Sequence, residues 1–186
     1  MDKGSTEVLE AEHRVILRVI GAMARMDATL ERGADLKVET LLAIVEFMRT
    51  FADKCHHGKE EAHLFSTLQR KGVPIGGCPL GALIREHEQG RTLVRDLEAA
   101  TEAYLQGGLG AREALAKSLR GLVALYPNHI WKEDYLLFPM TDKLLGPEEH
   151  RELQEKFDAV EAEVGRDVHQ RFEQLAQWLE DYESRQ

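Results

Sequence analysis

Apolar residues recur three and four apart along most of this chain, the spacing that gathers them on one face of an α-helix. Leu9, Ile16, Leu17, Ile20, Met23 and Leu30 form the first stripe, opened by the capping residues Ser5-Thr6 and closed near Gly33. A second helix is expected over residues 36–70, with Leu41, Ile44, Val45, Met48, Ala52, Leu64 and Leu68 on one face. The run from Lys71 to Pro79, rich in glycine and proline, is the clearest loop. A third helix is expected over residues 80–106 and a fourth over 111–145, separated by Gly107-Gly108-Leu109-Gly110. Pro127 lies inside the fourth, where its missing amide should kink the helix. Gly146-Pro147-Glu148 reads as a stop and a new start. Further helices are expected over 148–164 and 166–182, with Leu153, Phe157, Val160, Val164, Val168, Phe172, Leu175 and Leu179 as their apolar positions.

Four long helices with short connections predict an all-α, up-down-up-down four-helix bundle. The whole chain, 1–186, reads as one domain, with a core bundle over about 5–145. The C-terminal helices, about 147–183, are expected on the outside of the bundle or across a homodimer interface. Composition agrees, since Leu, Ala, Glu, Arg and Gln favour helices. Charge narrows the partners. With 33 acidic against 24 basic residues the formal net charge is −9, which argues against nucleic acid and anionic membranes. No apolar run is long enough to span a bilayer, and Met1-Asp2-Lys3-Gly4-Ser5 does not open a secretory signal, so the expected location is the cytoplasm. Cys55 and Cys78 do not make a disulfide framework and read as small packing residues.

One internal repeat carries chemistry. His56 to Phe65 and His129 to Phe138 align without gaps as H-x-x-K-E-[ED]-x-x-L-F, one copy on the second helix and one on the fourth. A histidine and a glutamate four apart share a helix face, so imidazole nitrogen and carboxylate oxygen can reach one point. The pairs His56–Glu60 and His129–Glu133 continue the apolar stripes of their helices, as do His13 and His87 on the first and third. Four inward histidines and two inward glutamates, without inward Lys or Arg to neutralise the latter, suit divalent transition metals. His57 and Glu61 are also four apart and give an alternative register, although the repeat selects His56 and Glu60 and leaves His57 and Glu61 round the helix as outer or interhelical partners. His63 and His150 sit among charged neighbours and read as solvated. His169, Trp131 and Trp178 read as surface, packing or interface residues. No Gly-rich phosphate cradle or Ser-His-Asp arrangement is present.

Taken together, His13, His56–Glu60, His87 and His129–Glu133 resemble the H…HxxxE…H…HxxxE signature of hemerythrin-like (HHE cation-binding) proteins, and the flanking residues resemble a bacterial cytosolic branch. The resemblance implies a di-iron centre, oxo- or hydroxo-bridged, with His13, His56, His87 and His129 as ligands and Glu60 and Glu133 as bridges. It implies binding or reduction of O2, NO or H2O2 with an electron donor it does not identify, or alternatively an oxygen or redox sensor or an iron storage or repair protein. One departure matters. Oxygen-carrying members add a histidine four residues from the one on the third helix, and here those positions are Leu83 and Arg91. Tyr126, Glu86 and His169 are candidate replacements, and solvent-derived ligands are the expectation. A ligand set short of protein donors favours reaction over reversible oxygen carriage.

Overall fold

The computed structural model describes residues 4–165 and 167–183. Met1, Asp2, Lys3 and Arg166, the residue where the last helix was expected to begin, lie outside the described residues. Six helices follow in order: α1 (Ser5–Glu31), α2 (38–70), α3 (Leu80–Leu105), α4 (111–144), α5 (Pro147–Val164) and α6 (Val168–Glu183). No strand occurs among the described residues. No described helix is long and apolar enough to cross a membrane.

Each boundary has a local cause. Gly33, at φ +80°, takes the left-handed conformation just past α1, where a side chain would be strained. Pro147 opens α5, where its missing amide N–H costs nothing, and the Glu149 carboxylate accepts a hydrogen bond from the Gly146 amide. The α4 helix runs on through Pro127. α1 to α4 form the bundle, α2 against α3, α3 against α4 and α4 against α1. α5 and α6 cover the side made by α1 and α2.

Two helices are not uniformly wound. Residues Met48–His57 and Glu60–Leu64 of α2, and Glu133–Leu137 of α4, adopt π-helical turns, in which hydrogen bonds reach one residue further back. A wider turn rotates less per residue, so neighbouring side chains can face the same side. Cys55, His56 and His57 are all buried in succession. Past the widened turn of α4 the inward position is Leu137, fully buried, whereas Leu136, which regular spacing puts inside, is 52% exposed. Leu17, also on an expected stripe, is exposed as well.

The core is split in two. One apolar cluster holds Ile16 to Leu30 of α1, the start of α2, Val94 and Leu97 of α3, Leu115 to Ile130 of α4, and Val168, Phe172, Ala176 and Leu179 of α6. The other holds Leu9, Leu64, Phe65, Leu68, Leu80, Leu83, Leu137, Phe138, Leu153 and Phe157. On α1, α2 and α3 the predicted histidine falls between the two clusters, and on α4 His129 lies at the edge of the first with Glu133 between them. A polar layer is thus closed off from water above and below by close-packed hydrocarbon. Of the two cysteines, Cys55 is buried, but Cys78 lies exposed in the α2–α3 loop, which corrects its reading as a packing residue.

Candidate metal centre

The polar layer contains His13, His56, Glu60, His87, His129 and Glu133, each no more than 3% exposed. Their donor atoms fall into two groups, His13-His56-Glu60-Glu133 and Glu60-His87-His129-Glu133. Both glutamates belong to both groups. The Nε2 atoms of His13 and His56 are 2.9 Å apart, and Glu133 Oε2 is 3.2 Å from His13 Nε2. On the other side Glu133 Oε1 is 3.3 Å from His129 Nε2, and Glu60 Oε2 is 3.4 Å from His87 Nε2. Two donors held side by side on one ion, with bonds of about 2.1 Å, stand roughly 3 Å apart.

The outward nitrogens are as ordered as the inward ones. His13 Nδ1 meets Asp134 at 2.6 Å, His56 Nδ1 meets Glu12 at 2.9 Å, His87 Nδ1 meets Glu61 at 2.6 Å and His129 Nδ1 meets Glu86 at 3.0 Å. A carboxylate only accepts, so each ring donates from Nδ1 and turns Nε2 inward. This is the arrangement that orients metal-binding imidazoles. It also accounts for the repeat position by position. In the first copy His56 donates to Glu12 of α1, Lys59 donates to the same Glu12, and Glu61 accepts from His87 of α3. In the second copy His129 donates to Glu86 of α3, Lys132 donates to the same Glu86, and Asp134 accepts from His13 of α1. Glu12 and Glu86 each directly precede the histidine of their helix. The α1–α2 and α3–α4 halves are therefore related by an approximate two-fold through the centre.

His57 breaks that symmetry. Its ring is 2% exposed and stacks on His87 with centroids 3.8 Å apart. It forms a third donor group with His87 and His129, and its Nδ1 lies 3.3 Å from Asp53. Sequence spacing placed His57 round the helix from the site as an outer or interhelical partner. The π-helical turn instead brings both His56 and His57 to the layer. Its Nε2 adds a fifth imidazole, so the site is not short of a histidine as the single one on α3 suggested. Of the expected stand-ins, Glu86 holds His129, Tyr126 lies beside His57 and His129, and His169 contacts Glu12 at 3.0 Å. Arg91, four residues past His87, donates to both Asp53 and Glu61 and so braces the carboxylates behind His57 and His87. Glu61 and Asp134 fill the acidic position of the repeat and Glu86 stood as a candidate ligand, whereas Arg91, Glu12 and Asp53 carried no signal beyond ordinary surface charge.

Electrostatics set the layer apart. Cations balance the outer carboxylates: Lys59 for Glu12, Arg91 for Asp53 and Glu61, and Lys132 for Glu86. Lys59 is buried, an inward cation that sequence reading did not find, yet it contacts Glu12 and Glu161 rather than Glu60 or Glu133. All four oxygens of Glu60 and Glu133, with Nε2 of His57, His87 and His129, are buried without a hydrogen-bond partner among the described residues. Burial opposes ionisation of Glu133, but the imidazoles of His129, His13 and His87 outweigh it and hold its carboxyl well below the usual range. Burial likewise opposes a charged His13, and its hydrogen bond to Asp134, with the Glu133 carboxylate 3.2 Å away, raises it to about 10. His87 rises to about 11 against the same burial, through Glu133, Glu60 and Glu61. His57 is driven down by burial and by the neighbouring imidazoles, so it presents a neutral ring. A buried carboxylate that makes no hydrogen bond is costly even beside a charged imidazole. Cations placed between the two glutamates satisfy these atoms together, and the donor set fits borderline transition metals.

A buried layer of converging imidazoles around two shared carboxylates is the interior of a metal-binding helical bundle. The family described as hemerythrin HHE cation binding domain matches residues 4–141, which take in the layer and nearly all of the four bundle helices, and the chain belongs to that family. Among curated relatives, uncharacterized proteins of Mycobacterium bovis (strain ATCC BAA-935 / AF2122/97) and of Mycobacterium tuberculosis (strains CDC 1551 / Oshkosh and H37Rv) are 25% identical over 156 residues. That alignment covers 83% of this chain and 60% of each relative, so the chain spans about three fifths of their length. No solved structure gives a significant match. α5 and α6 lie beyond the residues that the family covers.

Proposed function

We propose that the chain holds two iron ions in the polar layer and binds or reduces a small diatomic molecule or peroxide: O2, NO or H2O2. The observation that carries this is the set of buried, unpartnered carboxylate oxygens of Glu60 and Glu133, each glutamate shared between two histidine groups. His13 and His56 would hold one ion, His57, His87 and His129 the other, with Glu60 and Glu133 common to both. Bound iron would supply one-electron redox chemistry and coordination positions for a small molecule. The chain's own residues do the rest. Asp134, Glu12, Asp53, Glu61 and Glu86 hold the Nδ1 protons and fix the rings, and the two apolar clusters keep bulk water out. Metal binding would displace only the inward Nε2 protons of His13 and His87.

The test is optical. Iron-loaded protein should show charge-transfer absorption that bleaches with dithionite and changes on adding NO or peroxide. A loaded protein whose spectrum ignores all three small molecules would remove the proposed chemistry.

A second reading, redox sensing, draws on a separate observation. Glu12, which holds His56, is also bound by His169 of α6 and shares Lys59 with Glu161 of α5. A change at His56 thus has a path to the outer helices. Equal hydrodynamic size of reduced and oxidised protein would count against it.

A further inference from the structure

The approximate two-fold between the α1–α2 and α3–α4 halves fails on the outside of the bundle. On α2, α5 packs over the first repeat, where a Cβ on Gly58 would lie 3.9 Å from Val160. Lys59, next in the chain, pairs with Glu161 of α5. The position that matches Gly58 in the second repeat is Trp131, and the one that matches Ala62 is Tyr135. Because α5 and α6 lie on the other side, this stretch of α4 faces outward. Trp131 is 53% exposed, Tyr135 66% and Leu136 52%, and Lys132 remains 36% exposed. The small residues of the first repeat seat a helix, and the large ones of the second are left bare.

Ala124, Asn128, Trp131 and Tyr135 follow one another at helical spacing as an exposed ridge about 16 Å long. None of them carries a charge, in a chain that is 31% charged. The two rings stack with centroids 5.6 Å apart, so part of the order that binding demands is already in place. The rims of the ridge are of opposite sign. Lys132 lies on the α3 side, against Glu86, and Asp134 on the α1 side, against His13. A two-fold axis parallel to α4 sets the Lys132 rim of each copy against the Asp134 rim of the other. The face is thus complementary to itself, whereas a strongly charged partner would find no charge on the ridge to meet.

We propose that this ridge is a homodimer interface, in which α4 of one copy lies against α4 of a second. From typical side-chain areas, Trp131, Tyr135 and Leu136 together expose about 350–400 Å², a size at which exposed apolar patches are often functional. Two such ridges with their rims closed bury about 1,000–1,200 Å², the low end for a specific interface, so the dimer exchanges with its monomer. Trp131, the largest side chain of the ridge, is its anchor. No part of the metal chemistry enters, so the interface stands apart from the di-iron reading.

Sedimentation velocity on the full chain tests it. The wild type is expected to pass from monomer to dimer with a dissociation constant of about 10–100 µM. Trp131→Ala should weaken association about thirtyfold, and Trp131→Glu should leave a monomer, both with helical circular dichroism unchanged. Leu109→Glu, which alters a fully exposed leucine of the α3–α4 loop away from the ridge, should dimerise as the wild type does. A second measurement needs no change in the ridge. Trp178→Phe leaves Trp131 as the one tryptophan, and its quenching by acrylamide should fall as the protein is concentrated through the same range. A wild type still monomeric at about 1 mM, a dimer that survives Trp131→Glu, or one lost with Leu109→Glu overturns the proposal. So does quenching that stays constant while the dimer forms, which puts the contact elsewhere. A two-fold contact closes at two copies, so a series that grows past the dimer contradicts it as well.

Discussion

Lys59 and Lys132 occupy the same place in the repeat and each donates to a carboxylate that holds a histidine of the centre, yet their burial differs. Lys59 is fully buried between Glu12 (3% exposed) and Glu161, with both contacts at 2.5 Å, whereas Lys132 is 36% exposed. Replacing each by methionine keeps most of the aliphatic stem and removes the charge. Breaking a buried pair costs about 3–5 kcal/mol, because the partner is left charged and dry. Glu12 keeps His56 and His169, so the lower end, about 3 kcal/mol, is expected for Lys59→Met. Exposure and solvent screening limit Lys132→Met to about 0.5 kcal/mol. For a chain of this length these costs correspond to falls in melting temperature of roughly 6–12 °C and 1–2 °C. Thermal and urea unfolding of chelator-treated protein measures both. Equal losses for the two variants would refute the claim that burial, rather than position in the repeat, sets their worth.

Other consequences follow from the same geometry. Leu137→Ala should cost about 2–5 kcal/mol and Leu136→Ala under about 0.5 kcal/mol, and the reverse order in denaturant unfolding would contradict the widened turn of α4. His57→Leu leaves the symmetric six-residue frame intact, so metal per chain should hold while the absorption spectrum changes; loss of metal would show His57 to be indispensable. His169 has its charge disfavoured by burial but is raised to about 10 by hydrogen bonds to Cys55 and Glu12. A raised folded-state value means the stabilisation is complete below the unfolded value near 6.5 and fades as pH rises through about 10. The melting-temperature gap between wild type and His169→Gln should therefore shrink from pH 6.5 to 10, and a gap that widens would contradict this account.

The bundle was legible because its helices are amphipathic and their ends carry glycine or proline. The inward set of four histidines and two glutamates was legible because each continues an apolar stripe, such as Leu9-His13-Leu17 with Ile20 beyond, although Leu17 itself is exposed. The rest was hidden for identifiable reasons. A π-helical turn moves the inward face by about one residue without any mark in the spacing, which is why Leu136 rather than Leu137 looked buried and His57 looked peripheral. The outer carboxylates act across helices. Glu12 and Asp134 become partners of His56 and His13 only once α1, α2 and α4 are side by side. Lys59 resembles any surface lysine until α5 covers it with Glu161. The chain's repeat was visible, but its lysine and final acidic position had no evident purpose until the cross-helix contacts showed each bracing an imidazole.

The central claim is that Glu60 and Glu133 lie buried without hydrogen bonds because two metal ions belong between the histidines. It is tested most directly by metal content per chain in protein from iron-supplied cells, for the wild type and for Glu60→Gln and Glu133→Gln. The account predicts about two irons per folded wild-type chain and marked loss in both variants, with helical circular dichroism retained. A wild type carrying only zinc would contradict the iron assignment, and a folded wild type as empty as its variants would contradict the metal centre itself.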